Sequence, residues 1–269
     1  MRIFLIFFFF SLTILTGCKK SASENAQLLA ADSSAIAHNQ SEIVTVDSLI
    51  VHDSSRVAPT LMLEYRKKVL LFSGLDKPVQ DSLYQFELFQ EIPYPGEYNA
   101  AIIGGLVRER MQSYFRQDQD ETDPYISDYP QTWNENSEMN VFSDRNGFLT
   151  IIYTGHGYSG GAHGYAYEQY KVADYRNQKM VQIHDIADVS KVNWNDLLLK
   201  NIGSRKEELF EPATLTYTEN FYFDDKSLNF VYGQYEIAPY VSGIIEIKIP
   251  YSQLGDALKP EFKQRMQIK

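Results

Sequence analysis

Met139-Asn140-Val141-Phe142-Ser143-Asp144-Arg145-Asn146-Gly147-Phe148-Leu149-Thr150-Ile151-Ile152-Tyr153-Thr154-Gly155-His156-Gly157-Tyr158 sets two apolar and aromatic runs around a short polar break. Asn-Gly is a strong tight-turn signal, because both central residues of such a turn take positive φ. The stretch therefore predicts a hairpin of 139–143 with 148–158. Tyr165 to Tyr175 is the next candidate strand, closed by Arg176-Asn177-Gln178-Lys179. Phe221 to Phe223 and Leu228 to Tyr232 form a second hairpin around Asp224-Asp225-Lys226-Ser227. In the last strand, Ile245, Ile247 and Ile249 alternate with Glu246 and Lys248, a half-buried pattern. Pro250 closes it, and 251–258 reads as a terminal helical turn.

Helices fall between these strands. Asn193 is a candidate N-cap for a helix that buries Leu197, Leu198 and Ile202 and stops at Gly203. Upstream, 61–115 reads as strand, strand, helix. Tyr84, Phe86 and Leu88 alternate with Gln85 and Glu87 as a strand would, and Pro93 and Pro95 end the run. Asn99 precedes a helix that carries Ile103, Leu106, Val107, Met111, Tyr114 and Phe115 on one face. Gly104-Gly105 lowers its helix propensity, which points to close packing on a sheet. The polar stretch 116–138 reads as a long loop or a second short helix. Together these elements predict an α+β fold, with a largely antiparallel sheet or sheets and helices packed on one face.

The N-terminus carries an address. Arg2 precedes the apolar run Ile3 to Phe10, which Leu12, Ile14 and Leu15 extend. That run is short for a bilayer span and reads as a cleaved signal. Leu15-Thr16-Gly17-Cys18 resembles the lipobox of bacterial lipoproteins, and Cys18 is the protein's one cysteine. The resemblance implies cleavage before Cys18, lipidation of its thiol, and multiple acyl chains that hold the protein stably on a membrane. Lys19, where lipoproteins retained at an inner membrane commonly have Asp, points to an outer membrane on its periplasmic side. The expected organisation is signal peptide 1–17, lipidated Cys and flexible tether 18–58, a small companion domain 59–138 and a C-terminal domain 139–269. The boundary at 58 is soft, because 42–51 is rich enough in Ile, Val and Leu to be a strand.

A net charge of −10 over 269 residues argues against a nucleic-acid binder, which needs a basic face. It would favour a basic partner. A single cysteine excludes intrachain disulfides and cysteine-based zinc clusters. The stretch 154–165 packs five glycines into Gly155, Gly157, Gly160, Gly161 and Gly164, with His156 and His163 among them. It lacks the Lys-Ser/Thr ending of a phosphate loop. Neither the histidine spacing nor His184 matches a zinc motif, so no metal and no cofactor is expected. Gly157-Tyr158-Ser159-Gly160-Gly161 is a literal G-x-S-x-G, but that pattern needs a strand-to-helix turn and a strand follows here. The acidic run Asp118, Asp120, Glu121 and Asp123 lacks the glycine and closing Glu of a calcium loop. The tyrosines of 221–240 have two readings: packing with tied-off hydroxyls, or a recognition surface of rigid rings.

Gly160-Gly161-Ala162-His163-Gly164, Tyr235-Glu236-Ile237-Ala238-Pro239-Tyr240 with Ser242-Gly243, and Ile249-Pro250-Tyr251-Ser252-Gln253-Leu254 follow in that order. Together they resemble the extracytoplasmic domain shared by the lysozyme-binding anti-sigma factor RsiV and the peptidoglycan deacetylase PdaC. Ile92-Pro93-Tyr94-Pro95 and the helix after Asn99 look like the companion domain that precedes it. The resemblance spans roughly 60–255 and implies ligands such as peptidoglycan fragments or a lysozyme-like muramidase. The Asp-Asp-Gly-Pro type motif of the deacetylase's catalytic domain has no counterpart here, so no deacetylase activity is expected. A lipoprotein signal replaces the anti-sigma factor's spanning helix, so direct sigma-factor control is not expected either. The leading expectation is a non-enzymatic, lipid-anchored envelope protein whose ligand surface includes Tyr158, Gly160, Gly161, His163, Tyr165, Tyr235 and Tyr240. The alternatives are a cell-wall glycan or ester hydrolase that uses Ser159, His156 and His163, and a structural lipoprotein.

Cys18→Ser removes the acceptor of the lipid, and fractionation of cells expressing it should find the protein released or misprocessed. Membrane association equal to that of the parent chain would show that something else holds it.

Overall fold

The structure, a computed structural model, describes residues 29–30, 34–35, 44–89, 92–117 and 128–268. The signal peptide, Cys18 and the acidic run at 118–123 lie outside the described residues. In chain order, β1 (Thr45–Ala58) and β2 (Leu61–Ser73) form an antiparallel hairpin. Two helices follow, α1 (Lys77–Leu88) and α2 (Ala100–Gln117). β3 (Gln131–Arg145) then lies parallel to β2, in register from Leu61 opposite Gln131 to Lys68 opposite Glu138. β4 (Phe148–Tyr158) and β5 (Tyr165–Asp174) continue the sheet antiparallel, and the two-residue β6 (Lys179–Met180) pairs with the end of β5. Leu29–Ala30 and Ser34–Ala35 pair along the outer edge of β1.

The β3–β4 turn forms where Asn-Gly predicts it, with φ of 54° at Asn146 and 87° at Gly147. Alternation then divides β4 between two cores. Leu149, Ile151 and Tyr153 face α1 and α2, where they meet Val79, Leu83, Ile103 and Val107. Phe148 faces the other way, with Val172 of β5, into a second core. That second core belongs to a three-stranded antiparallel sheet: β7 (Phe221–Phe223), β8 (Ser227–Tyr232) and β9 (Ile245–Pro250), with β8 in the middle. The helices α3 (Ile183–Ile186), α4 (Trp194–Asn201), α5 (Tyr251–Leu254) and α6 (Pro260–Met266) cover it. Asn193 caps α4 as expected, its side chain accepting from Asp196 N, and Leu198 and Ile202 are buried while Leu197 is only partly so. This is an α+β fold.

Several expectations need correction. Tyr84 to Leu88 is helical. Pro78 fits the first turn of α1, and Val79, Leu83, Tyr84, Glu87 and Leu88 are buried at helical spacing while Phe86 is exposed. The alternation of Tyr84, Phe86 and Leu88 is thus incidental to a period of 3.6. The tether cannot run to 58, because Thr45–Ala58 is a full strand with Val46, Leu49 and Val51 in the core. Gln131 to Glu138 is strand where a loop or short helix was expected, because parallel pairing with β2 satisfies its backbone even though few of its side chains are apolar. For the same reason the boundary drawn at 138/139 falls inside β3. The first core draws on residues 44–175, and the second on 181–266 together with Phe148 and Val172. Gly104 packs closely as expected, against Leu49, whereas Gly105 faces open space.

The junction between the two sheets is polar and specific. β5 pairs with β6 only at Ala173 and Asp174, so most of its outer edge would lie bare. The buried side chain of Asn220 fills the position of a neighbouring strand. Its Oδ1 accepts from Tyr170 N at 2.7 Å, and its Nδ2 donates to Glu168 O at 2.8 Å. Gln234 Oε1 accepts from Ala166 N at 2.9 Å, and Val181 N donates to Val172 O at 2.8 Å. Farther along, Arg265 of α6 binds Asp174 in a forked pair at 2.5 and 2.8 Å, lies over the Phe148 ring, and donates to Asn146 O in the turn. Burial pushes the Asp174 carboxyl up, but hydrogen bonds from Arg265 and Asn177 outweigh it and hold the carboxyl below the usual carboxylate range. A lowered folded pKa means that this latch stabilises the fold above the ordinary Asp range and is lost as pH falls through the folded value.

Asn220→Ala leaves one buried N–H and one buried C=O without partners and should destabilise the protein by about 2–4 kcal/mol. Asn220→Asp, which still accepts from Tyr170 N but cannot donate to Glu168 O, should be less stable than the parent as well. Urea unfolding of the three proteins is the check, and parent-like midpoints for both variants would mean that the seam is not structural.

Candidate functional site

The glycine-rich stretch is the end of β4 together with the loop into β5. Gly155 lies opposite Tyr167 and Gly157 opposite Tyr165. A β-carbon at Gly155 would overlap the Tyr167 ring, and one at Gly157 would sit 2.6 Å from the Tyr165 hydroxyl. Each tyrosine ring thus covers the bare backbone of the glycine across from it, a pairing that restores the packing glycine lacks. Beyond the strand, Gly160 and Gly161 both take positive φ, 85° and 84°, and Gly160 rests against Trp133. Tyr158 OH donates to Gly161 O at 3.0 Å and pins the loop from inside.

This loop meets the loop between β8 and β9. Tyr240 stacks on His163 with ring centroids 3.9 Å apart and planes 23° apart, and its hydroxyl donates to Gly164 O at 2.9 Å. Tyr235 lies 5.7 Å from Tyr240 and 6.4 Å from His163, with its hydroxyl 3.5 Å from His163 Nε2. His163 Nδ1 is 2.9 Å from Gly164 O, so that nitrogen carries the proton when the ring is neutral. Tyr235 takes a φ of 64° and is 57% exposed, and Tyr165 is 44% exposed. Tyr240 and His163 thus brace each other over Gly164, while the rings of Tyr235 and Tyr165 stand exposed.

Behind Tyr167 lies a buried polar cluster. Glu87 of α1 pairs with Lys67 of β2 at 2.7 Å, with both side chains almost fully buried. Ser137 Oγ donates to the same carboxylate oxygen at 3.0 Å, and Tyr167 OH donates to the other at 3.3 Å. One row across the sheet holds Lys67, Ser137, Gly155 and Tyr167, and the next holds Tyr65, Glu135, Gly157 and Tyr165. Burial, and then the Glu87 carboxylate, pushes the Tyr167 phenol up, and burial followed by Glu135 does the same to Tyr165. Both remain neutral donors at physiological pH. A buried pair of this kind sets geometry more than it adds net stability, since removing one partner would strand the other charge.

The structure therefore brings Tyr158, Gly160, Gly161, His163, Tyr165, Tyr235 and Tyr240 to one end of the fold. It does not join Ser159, His156 and His163. His163 is engaged by Gly164, Tyr235 and Tyr240, and His156 lies on β4 between Asn136 and Ala166, its side chain on the opposite face from Gly155 and Gly157. No hydrogen bond among the described residues links the three, and no cluster of three or more potential metal ligands occurs among them. Sequence reasoning missed Gln234, Trp133, Lys67 and Glu87, whose roles depend on pairings distant in the chain. The glycines at 155 and 157 could have pointed to their tyrosine partners through the period-two spacing of Tyr165 and Tyr167.

Residues 165–252, from β5 into α5, match the family model described as a protein of unknown function, DUF3298. The match contains Tyr165, both sheet-closing amides and the Tyr235–Tyr240 loop. Among solved structures, the chain is similar to a member of the DUF3298 family from Bacteroides fragilis. The two are 22% identical with a TM-score of 0.65, covering 85% of this chain and 99% of that one. It is also similar to a DUF3298 family protein from Pseudomonas aeruginosa, at 19% identity and a TM-score of 0.50, covering 80% and 95% respectively. At such identities the likeness is one of fold. No curated protein matches the chain.

Exposure and packing separate the site's residues by what mutation should do. Tyr235→Ala should change stability by no more than about 0.5 kcal/mol, as at an ordinary surface position. Gly155→Ala drives a methyl into the Tyr167 ring and should cost about 1–3 kcal/mol. Chemical denaturation of both variants reads this directly; a large loss for Tyr235→Ala would make that ring a brace of the fold.

Proposed function

We propose that this chain is a lipid-anchored cell-envelope protein whose C-terminal part binds a partner without chemically altering it, and that a lysozyme-like muramidase is the favoured partner. The observation that carries the reading is the exposed ring of Tyr235 beside the stacked pair of His163 and Tyr240. Rigid, amphipathic rings give contact area at low entropic cost, and such residues dominate the energetics of protein interfaces. The net charge of −10 favours a basic partner. The lipobox ending in Cys18 supports the anchor and, with Lys19, an outer-membrane address facing the periplasm. The sequence resemblance to the lysozyme-binding extracytoplasmic domain supports the partner class. Absence of any link between Ser159 and a histidine among the described residues favours binding over hydrolysis.

The test uses the full-length chain purified in detergent, with hen lysozyme and soluble peptidoglycan fragments as separate ligands in calorimetry. Lysozyme should bind, and Tyr235→Ala should weaken it by about 2 kcal/mol, roughly thirtyfold, with the fold intact. Binding of fragments alone would reassign the surface to glycan. Cleavage or deacylation of the fragments, seen by mass spectrometry, would make the protein an enzyme, and binding of neither ligand would defeat the reading.

A further inference from the structure

A cavity of about 490 Å³ opens beside the aromatic face. The two share one loop: Tyr235 and Tyr240 belong to the aromatic face, while Glu236 and Ile237 between them line the cavity. The opposite wall comes from the segment after α4, which Phe210 N ties to Ile237 O at 3.0 Å. Leu209, Phe210, Leu215, Tyr217, Tyr232 and Ile237 make the walls largely apolar. Phe210 is 55% exposed, a large ring left at the surface. The Tyr232 hydroxyl is spent on Thr216 O at 2.7 Å, so that wall is held in place.

The charges on this lining have one sign. Glu211 and Glu236 contribute carboxylates, and no lysine, arginine or histidine lines the cavity. Neither carboxylate has an ion-pair partner among the described residues, and Glu236 is fixed by accepting from Gly233 N at 2.7 Å. A site with carboxylates at its edge, aromatic rings and apolar walls complements a cation carried on an aliphatic stem. The stem is buried against the walls, the charge meets the carboxylates, and the rings add a cation–π attraction. The volume suits a short peptide better than a lone ion.

We propose that this cavity receives a lysine or arginine of a bound protein, together with an apolar neighbour of that residue. The inference rests on the proposed protein partner and names the chemistry by which that partner is read. The aromatic face then supplies contact area, and the cavity supplies the selection for basic residues.

The test separates the cavity from the partner. N-acetyl-lysyl-leucine amide and N-acetyl-norleucyl-leucine amide, which keeps the stem without the charge, are titrated into the full-length chain in detergent. Binding is followed by NMR shifts of the Thr214, Thr216 and Thr218 amides. The lysyl peptide should bind, and the norleucyl peptide should bind about tenfold more weakly or not at all. Glu211→Gln with Glu236→Gln, which preserves the Gly233 hydrogen bond, should weaken the lysyl peptide about tenfold while leaving the melting temperature unchanged. Equal binding of the two peptides, equal binding by the variant, or no shift at those threonines would overturn the proposal. Lysozyme enters as a separate arm. Charge-dependent peptide binding without lysozyme binding would uphold the cavity and defeat the muramidase reading.

Discussion

The outer edge of β5 is the constraint on which the rest of the architecture depends. A strand that ends a sheet exposes a row of N–H and C=O groups, and these must meet water or another polar partner. Here the edge lies where a second sheet is packed, so water cannot serve along its buried middle. The Asn220 amide answers both groups at once, accepting from Tyr170 N and donating to Glu168 O. Around that point Tyr170 and Tyr222 come to 4.5 Å, and Phe142 lies edge-on to both. The seam is thus polar in its backbone pairing and aromatic in its side chains. Amide pairing fixes register, and the rings exclude water from it.

The same logic places the candidate site. Asn220 fixes the start of β7 beside β5, and Gln234 repeats the pairing at Ala166 after β8 has crossed the second sheet. The β8–β9 loop is therefore carried to the N-terminal end of β5, where the glycine-rich loop emerges. Tyr240 can then stack on His163 and close on Gly164. Behind them, the buried Lys67–Glu87 pair ties α1 to β2 and presents a carboxylate to Tyr167. Tyr167 in turn covers Gly155. The aromatic surface is a by-product of how two sheets and one helix are held together.

The aromatic face offers area and the adjoining cavity offers negative charge. The proposed protein partner, with basic, exposed residues, would meet both features, which share the Tyr235–Tyr240 loop. On the proposed reading, a change that moved the Tyr235–Tyr240 loop would alter contact area and charge selection together.

Much of the fold is written locally. The Asn146-Gly147 turn, the Asn193 cap, the alternating isoleucines of the last strand and the apolar face of α2 each depend on residues close in sequence, so the α+β class follows from the chain alone. The glycine-rich and tyrosine-rich stretches likewise mark themselves by composition. Other features depend on partners far along the chain, and no local pattern carries them. Residues 84–88 satisfy both a period of two and a period of 3.6, and packing on the sheet selects the helix. Gln131 to Glu138 has few apolar side chains and becomes a strand because β2 is there to pair with it. Asn220, Gln234, Lys67 and Glu87 look like ordinary surface residues in the sequence. Only the tertiary structure removes water from around Asn220, Lys67 and Glu87, and once water is gone each must find its partner in the protein, which is what turns an unremarked polar residue into a determinant of the fold.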